Sequence, residues 1–481
     1  MSRPQAEPTS LARVIGSIQY FTIAFGCVVG VAWVIVLGDI LRAAGPGGAA
    51  IAMAAGSLVI LLVAFCYAEV AAARPSAGGE LVYAYELGGA GASFAAGWLL
   101  ALIMVSACAF EAISCGAVAD LLFPGVSGPR LYGLFGQDVR AGGVIIGLAA
   151  ALGLWALNAA GANLTARTQK WVTFARIALI LLFLGVAVAF AKPQNLTPLF
   201  SQPAGPARVS AILGVLATTP FWFGGFTVFA TAAEESASAP HKVGRAIVIS
   251  VIAAGVFYVA LILAVGALAP WRSLIGLKLP AAQAFEIGAH SPAMTKLVLT
   301  VALLGNLTAW NALLLAGSRV LFALGRARLG PPGLARIHPR FHTPATAVAV
   351  VSMICIAGLF LGRGFITPIV NVSSIGYCFL YLITALTLIR LRRRGDEPAS
   401  AYRAPGGVVT AWFVVAASLA MAAVAIIQPW LAAGGHVPAE WLILAGWVAA
   451  AVLVWRQSSA GRAGLTETER GAVLRSRSLE A

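Results

Sequence analysis

Long apolar runs separated by short polar connections fill the sequence from residue 15 to residue 456. Each run has the length, about 18 residues or more, that an α-helix needs to cross a bilayer core of about 30 Å. The runs are continuously apolar and do not alternate with polar residues, which argues against a transmembrane β-barrel. The pattern predicts twelve spans, near 15–41, 49–73, 93–122, 141–161, 169–191, 208–234, 244–268, 295–323, 344–361, 366–390, 408–430 and 438–456.

The composition supports this prediction of an all-α polytopic membrane protein. Of 481 residues, 60% are hydrophobic and only 10% are charged, and a water-facing surface requires more charge than this. Residues 78–90, between the second and third spans, are predicted to form a short amphipathic segment along the membrane interface. Glu69 and Glu80 flank this turn, where Arg74 could pair with them.

The net charge of +15 is explained by membrane topology and not by nucleic-acid binding. Arginine and lysine are concentrated in the connections that follow the even-numbered spans and in the C-terminal tail. By the positive-inside rule, both termini are predicted to be cytoplasmic, with the basic tail close to anionic lipid. Arginine far outnumbers lysine among the 32 basic residues, and alanine and glycine are abundant. This usage indicates a bacterial gene of high GC content and a cytoplasmic-membrane location.

No cofactor, metal site or enzymatic centre is predicted. The six cysteines lie in apolar segments without CxxC or Cys/His spacing, and the five histidines lie in loops without HExxH spacing. A Walker motif is also absent from the sequence, so ATP is not expected to drive the protein directly. No obligatory protein partner is inferred, and the lipid bilayer is the expected surrounding.

Two spans carry helix-weakening glycines at corresponding places. Gly26 and Gly30 lie in span one, and Gly224 and Gly225 lie in span six, so each is near the middle of the first span of a group of five. Glycine lowers helix stability by about 1 kcal/mol relative to alanine. A break frees backbone groups that lipid cannot satisfy, and such groups can bind the zwitterionic head of an amino acid. Close helix packing through small residues is the alternative explanation.

The chain resembles the amino acid–polyamine–organocation superfamily of permeases over roughly residues 13–405. The motifs that carry this resemblance occur in the order found in that superfamily. They are GCVVG at 26–30, GPG at 45–47, YAEV at 67–70, PSAGGELVY at 75–83, NAAG at 158–161, FGGF at 223–226 and AEE at 233–235. The resemblance implies alternating access by two inverted repeats of five helices, 15–191 and 208–391. Helices 408–456 are then additional, and 1–14 and 457–481 are cytoplasmic tails.

The resemblance also implies where an amino acid would bind. Its carboxylate would meet backbone N–H groups near Val31 and Ala32, after the break at Gly30. Its ammonium would meet carbonyls of the two broken helices. The residues implied for that contact are Val28, Phe221 and Gly224, with Trp310 lining the pocket. Trp222 and Phe226 would be aromatic gates, or else simply packing residues.

Two departures from the superfamily pattern bear on substrate and coupling. Thr227 stands where relatives that carry basic amino acids often have an acidic residue, so neutral, small or apolar amino acids are expected. Arg176 stands where many relatives have a lysine in helix five. An arginine there resembles a fixed substitute for a sodium ion, because it does not release its proton. A purely structural ion pair is the alternative role for Arg176.

Three acidic residues lie within or beside predicted spans. Glu111 lies inside span three, where a carboxylate is by default functional; it could bind a proton, contact the substrate or pair with Arg176. Glu234 and Glu235 lie roughly 15 Å below Gly224 along an ideal helix. They are predicted to form an inner gate, with a solvated helix end as the alternative.

The sequence therefore predicts a secondary amino acid transporter, either an exchanger or a proton-linked symporter. A carrier of polyamines or cationic amino acids is the alternative substrate class. A transport-like amino acid sensor is the alternative functional class, although the C-terminal tail is too short for a separate signalling domain.

Overall fold

A computed structural model of the chain describes residues 17–74, 78–123, 125–134, 137–160, 162–228, 240–395, 402–432 and 436–475. In these ranges, ten helices are long and apolar enough to cross a membrane. Two shorter apolar helical stretches, Phe25–Ile35 and Ala345–Leu359, occupy the positions of the predicted first and ninth spans. The protein is an all-α polytopic membrane protein, as the apolar runs predict.

The described residues of the first half of the chain form six helices. They are α1 (Ser17–Val28), α2 (Ala32–Ile35), α3 (Leu37–Ala73), α4 (Glu80–Leu122), α5 (Ala141–Ala159) and α6 (Ala162–Ala189). Helix α3 is broken by a kink at Gly45, whose φ of 72° requires glycine, and the GPG motif at 45–47 therefore lies between the first two predicted spans. Helix α4 is kinked at Gly88 and Gly89. The kink separates the interfacial segment, which we define as Glu80–Leu87, from the membrane-spanning part.

A two-stranded hairpin, which the sequence pattern does not predict, connects α4 to α5. Strands β1 (Arg130–Leu134) and β2 (Gln137–Arg140) are antiparallel, and Tyr132 pairs with Val139. The hydroxyl of Tyr132 donates to the Phe360 carbonyl oxygen at 2.6 Å, which fastens the hairpin to the end of the ninth span.

In the described ranges of the second half, the chain forms eight helices before the C-terminal tail. They are α7 (Pro206–Phe223), α8 (Pro240–Leu268), α9 (Pro280–Gly288), α10 (Pro292–Arg326), α11 (Ala345–Leu359), α12 (Ile366–Arg394), α13 (Gly407–Ala432) and α14 (Ala439–Gln457). Helices α4 and α12 lie at the centre, since 78% of the most apolar stretch of each is buried. The corresponding value for α14 is 6%, so α14 lies at the periphery of the helix bundle.

Helices α3, α10 and α12 end at a common face, which we call the basic face, at Arg74, Arg326 and Arg392–Arg394. Both carboxylate oxygens of Glu69 accept from Arg392, at 2.7 and 2.9 Å. Arg74 instead pairs with Glu86 at 2.7 Å. The expected pairing of Arg74 with Glu69 and Glu80 is therefore wrong, because neighbouring helices supply nearer partners.

The C-terminal tail continues as α15 (Ser459–Ala463) and α16 (Glu467–Arg475) on the basic face. The backbone N–H of Thr466 donates to Glu469 at the start of α16 and holds the pKa of Glu469 below its usual value. Tyr85 of the interfacial segment donates to the Glu467 carboxylate at 2.7 Å. The buried Arg470 donates to the Ala327 carbonyl oxygen at 3.2 Å. The tail thus packs on the membrane domain.

Candidate functional site

Helix one is interrupted between α1 and α2, at Val29–Val31. Gly26 is helical and lies inside α1, so the interruption surrounds Gly30 and the predicted break at Gly26 is misplaced by a few residues. A Cβ atom on Gly30 would lie 2.8 Å from Glu111 Oε1 and 3.2 Å from Ala309 Cβ. Gly30 therefore allows the unwound backbone to lie directly against α4 and α10.

Helix six changes at Gly224, where α7 gives way to a 3-10 turn over Gly224–Thr227. A Cβ atom on Gly225 would lie 2.4 Å from the Cys27 carbonyl carbon, so the two interrupted helices touch through their main chains. A Cβ atom on Gly224 would lie 2.1 Å from the Tyr377 ring. The glycine pair is needed for both close approaches.

Arg176 fastens α6 to the end of α1. Its Nη1 donates to the Gly26 carbonyl oxygen at 3.3 Å and to Thr308 Oγ1 at 2.7 Å. Its Nη2 lies 3.4 Å from the carbonyl oxygens of both Phe25 and Gly26. The side chain is buried and forms no ion pair with any residue in the described ranges. A fixed positive charge is therefore held by main-chain oxygens beside the interruption.

Glu111 lies on the other side of the same interruption. Its Oε2 and its carbonyl oxygen both accept from Asn306 Nδ2, at 2.8 and 2.7 Å, while Oε1 lies against Gly30. Gly305 lies close to both the unwound backbone and Arg176, because a Cβ there would lie 3.0 Å from the Gly30 carbonyl oxygen and 3.1 Å from Arg176 Nη1. A direct ion pair between Glu111 and Arg176 is not formed. The carboxyl and the guanidinium flank the unwound backbone separately.

The three carbonyls predicted to meet an ammonium group already accept hydrogen bonds. The Val28 oxygen accepts from Tyr258 at 2.6 Å, and the Gly224 oxygen accepts from Thr227 Oγ1 at 2.9 Å. The Phe221 oxygen accepts from the backbone N–H of Gly224. Each carbonyl oxygen has a second lone pair, so an additional donor can still be accommodated.

Tyr258 is a residue of this site that the sequence analysis missed. Its hydroxyl lies 2.6 Å from the Val28 oxygen and 3.0 Å from the Trp222 oxygen, so one side chain of α8 connects the ends of both interrupted helices. The available signal was a lone tyrosine within the mostly apolar span 244–268. Nothing in that pattern indicates which helix ends it would contact.

The side chains around the interruptions are mostly apolar. Val28, Val31, Ala32 and Trp310 are buried, and Thr227 is the buried polar side chain of the 3-10 turn. Trp310 follows Ala309, which contacts Gly30. The structure thus brings the predicted substrate-binding residues together, and their binding of substrate stays a prediction.

The predicted aromatic gates lie in two different surroundings. Trp222 packs edge-on against Tyr258 at 5.2 Å. Phe226 packs edge-on against Tyr67 at 5.0 Å and stacks with Tyr381 at 5.8 Å. The other two predicted gate residues, Glu234 and Glu235, lie outside the described residues.

Comparison with known proteins identifies the family. The family model described as "Amino acid permease" matches residues 15–453. The chain belongs to the amino acid permease family. This match covers eleven of the twelve predicted spans and most of the twelfth, so the motif resemblance noted from the sequence is confirmed. Members of the family are permeases and not enzymes, and the permease described here is accordingly a multi-pass membrane transporter at the level of its family.

Curated relatives cover most of the permease. The methylthioribose transporter of Bacillus subtilis is 26% identical over 407 residues, covering 83% of this chain and 86% of the relative. The branched-chain amino acid permease BcaP of Lactococcus lactis is 29% identical, covering 75% and 78%. The amino-acid permease RocE of Bacillus subtilis is 27% identical, covering 74% and 75%. These relatives share the permease class but not one substrate.

Proposed function

We propose that this permease is a sodium-independent secondary transporter of neutral amino acids, working by alternating access as an exchanger or a proton-linked symporter. The observation that carries the proposal is Arg176, whose guanidinium lies against the Phe25 and Gly26 carbonyl oxygens. A permanent cation there takes the place that a bound sodium ion would otherwise fill beside the unwound helix. A sodium ion in the same place would be repelled.

Backbone groups at the two interruptions supply the means to recognise a zwitterion. The N–H groups of Val31 and Ala32 open the second half of helix one, where the helix dipole favours a carboxylate. The carbonyls of Val28, Phe221 and Gly224 supply the acceptors for an ammonium. The geometry supports one site between the two half-helices, in line with inverted repeats at 15–191 and 208–391.

Neutral side chains fit this site better than charged ones. Its walls include Val28, Val31 and Trp310, and Thr227 is the only polar side chain of the 3-10 turn. A cationic side chain would need a counter-ion, because burying an unpaired charge costs several kcal/mol, on the order of 3–5. The name of the Lactococcus relative, a branched-chain amino acid permease, agrees with this preference.

Cationic amino acids are the second candidate, and one observation favours them. Glu111 places Oε1 against Gly30, within the same site, and it is the carboxylate nearest to the interruption in the described part of the chain. A mouse relative named cationic amino acid transporter 4 is 26% identical over 414 residues. Asn306 donates to the other oxygen of Glu111 at 2.8 Å, so Oε1 is the oxygen that remains to face a cationic substrate.

We place the basic face, and with it both termini, in the cytoplasm of a bacterial cell. The helix ends at Arg74, Arg326 and Arg392 support this orientation through the positive-inside rule. Residues beyond Gly224 then lead toward the cytoplasm.

The test is uptake into proteoliposomes of purified permease. A radiolabelled panel of leucine, alanine, arginine, putrescine and methylthioribose is offered with sodium or choline outside, and with or without unlabelled amino acids inside. We expect saturable leucine or alanine uptake that does not depend on sodium. Uptake only into preloaded vesicles identifies an exchanger, whereas uptake into empty vesicles driven by an inward proton gradient identifies a symporter.

Three results would contradict the proposal. Uptake that requires sodium would refute the role of Arg176. Arginine or putrescine uptake that exceeds leucine uptake would establish the cationic alternative. Ligand binding without uptake in any vesicle would indicate a sensor.

A further inference from the structure

Three rings form a layer on the basic-face side of the helix-six interruption. We define the aromatic layer as Tyr67, Phe226 and Tyr381. The ring centroids of Tyr67 and Phe226 lie 5.0 Å apart, those of Phe226 and Tyr381 lie 5.8 Å apart, and those of Tyr67 and Tyr381 lie 6.1 Å apart. All three side chains are buried. Phe226 is part of the Gly224–Thr227 turn, so Tyr67 and Tyr381 cover this turn on the side where α3 and α12 continue to the basic face.

One side chain of the interfacial segment contacts this layer from the side of the basic face. Glu80, the first residue of α4, is 0% exposed. Its Oε1 accepts from the Tyr67 hydroxyl at 2.7 Å. Its Oε2 is buried and has no hydrogen-bond partner in the described part of the chain. A buried carboxyl with an unsatisfied oxygen is costly, so its presence requires an explanation other than stability.

Hydrogen bonds to neighbouring helices hold the backbone of the interfacial segment, so the position of Glu80 is fixed. Thr387 of α12 donates to the Tyr83 carbonyl oxygen at 3.2 Å, and Arg390 donates to the Leu87 carbonyl oxygen at 3.3 Å. Ser93 donates back to the Leu81 carbonyl oxygen at 2.9 Å. A hydroxyl held by a fixed carboxyl is a strong constraint on the Tyr67 ring.

We propose that Glu80 is the positioning residue of the aromatic layer. Through the Tyr67 hydroxyl it holds the Tyr67 ring against Phe226 and keeps this layer closed toward the basic face. This inference rests on the proposed function for its alternating-access setting. The layer opens to the basic face only when Tyr67 leaves Phe226, which first breaks the bond to Glu80. The bond therefore biases the transporter toward the state that is closed to the cytoplasm.

The population of the inward-open state is the quantity to measure. A hydrogen bond to a carboxylate shifts such an equilibrium by about tenfold or more. Tyr67→Phe removes the hydroxyl and keeps the ring, and Glu80→Ala removes the acceptor. Glu80→Gln keeps an acceptor oxygen and should retain most of the bias. Glu86→Gln is the matched control, because Glu86 lies on the same segment but pairs with Arg74 at 2.7 Å.

Cys27 offers a readout of opening that does not depend on transport. It is buried beside the crossing of the two interrupted helices, where it contacts Gly225. The experiment replaces the other five cysteines by alanine and measures the labelling rate of Cys27 by a membrane-impermeant maleimide. Vesicles of either orientation expose one membrane face at a time, and thermal unfolding of each purified variant reports folding.

We expect Tyr67→Phe and Glu80→Ala to raise labelling from the basic face about tenfold, with Glu80→Gln and Glu86→Gln close to the parent. The double variant should be no faster than either single one, because both remove the same bond. The substrate concentration that gives half-maximal uptake should rise when substrate is offered at the opposite face and fall when it is offered at the basic face.

Unchanged labelling in well-folded Tyr67→Phe and Glu80→Ala would overturn the inference, as would equal changes from both faces. A different result is expected if the proposed transport function is wrong. In that case the parent protein takes up no substrate, while the labelling rates still report whether Glu80 controls the layer.

Discussion

The two interruptions differ in what surrounds them. The helix-one interruption lies between a cation and a carboxyl, Arg176 and Glu111, each held by a separate hydrogen-bonding group. The helix-six interruption lies between rings, with Tyr377 against Gly224 and Tyr67 against Phe226. Charges suit a fixed role in coupling because their burial must be compensated in every state. Rings can separate and repack at lower cost, so we assign gating to helix six.

The main-chain contact between the two interruptions should tolerate substitution least, and its loss should have the largest effect. A leucine at Gly225 would overlap the Cys27–Val28 backbone, where a Cβ atom alone would lie 2.4 Å from the Cys27 carbonyl carbon. We expect Gly225→Leu to abolish uptake, at a cost of about 3 kcal/mol or more in stability. Gly185→Ala on α6 is the control, because a Cβ there meets nothing within 4 Å. Wild-type uptake by Gly225→Leu would show that the contact is dispensable.

Removing the cation of the first interruption should have the next largest effect. Arg176→Gln leaves the Phe25 and Gly26 carbonyls without their charged donor, a loss of about 3 kcal/mol or roughly hundredfold in transport rate. Uptake is measured in sodium and in choline, and partial recovery by sodium would strengthen the substitute-cation interpretation. Arg42→Gln, at an exposed pair with Asp39, is the control. Full activity of Arg176→Gln in choline would refute the interpretation of Arg176 as a substitute for sodium.

Tyr258 connects the two interruptions, and removal of its hydroxyl should have an effect of intermediate size. Tyr258→Phe removes the hydroxyl shared by the Val28 and Trp222 carbonyls and keeps the ring packed on Trp222. We expect a loss of about 1.4 kcal/mol, close to tenfold in half-saturation for substrate. Tyr132→Phe, which loses a hydroxyl contact at the hairpin, should leave half-saturation unchanged. Equal effects of the two variants would contradict a specific role.

The smallest effect on exchange should come from Glu111. Glu111→Gln keeps an oxygen for Asn306 Nδ2, so exchange should stay within about threefold of wild type. If Glu111 carries the coupling proton, the pH dependence of net uptake should disappear in this variant. Glu440→Gln is a close control, because Glu440 accepts from Asn371 at 2.7 Å in a similar pair at the start of α14. A fall in folded yield with unchanged pH dependence would indicate a structural role.

The spans were predictable because crossing a bilayer imposes length and apolarity on each segment separately. The GPG motif at 45–47 marks the kink at Gly45, and the kink at Gly88–Gly89 lies near the predicted end of the interfacial segment at residue 90. The hairpin at Arg130–Leu134 and Gln137–Arg140 was missed because its short strands are mostly exposed and lack an apolar pattern.

Pairings between distant helices could not be predicted. Glu80 bonds Tyr67, and Glu69 bonds Arg392, although Arg74 is nearer to both in the chain. Tyr258 likewise acquires its role only when α8 packs against both interrupted helices. Sequence patterns report local periodicity, whereas these partners depend on which helix faces are in contact.

The crossing at Gly225 also bears on how such a protein can diverge. Where two helices meet through side chains, a change on one surface requires a matching change on the other. Here the contact is made by main-chain atoms of Cys27 and Val28, which every residue type supplies. The crossing can therefore keep its geometry while the neighbouring side chains are exchanged to suit a different substrate.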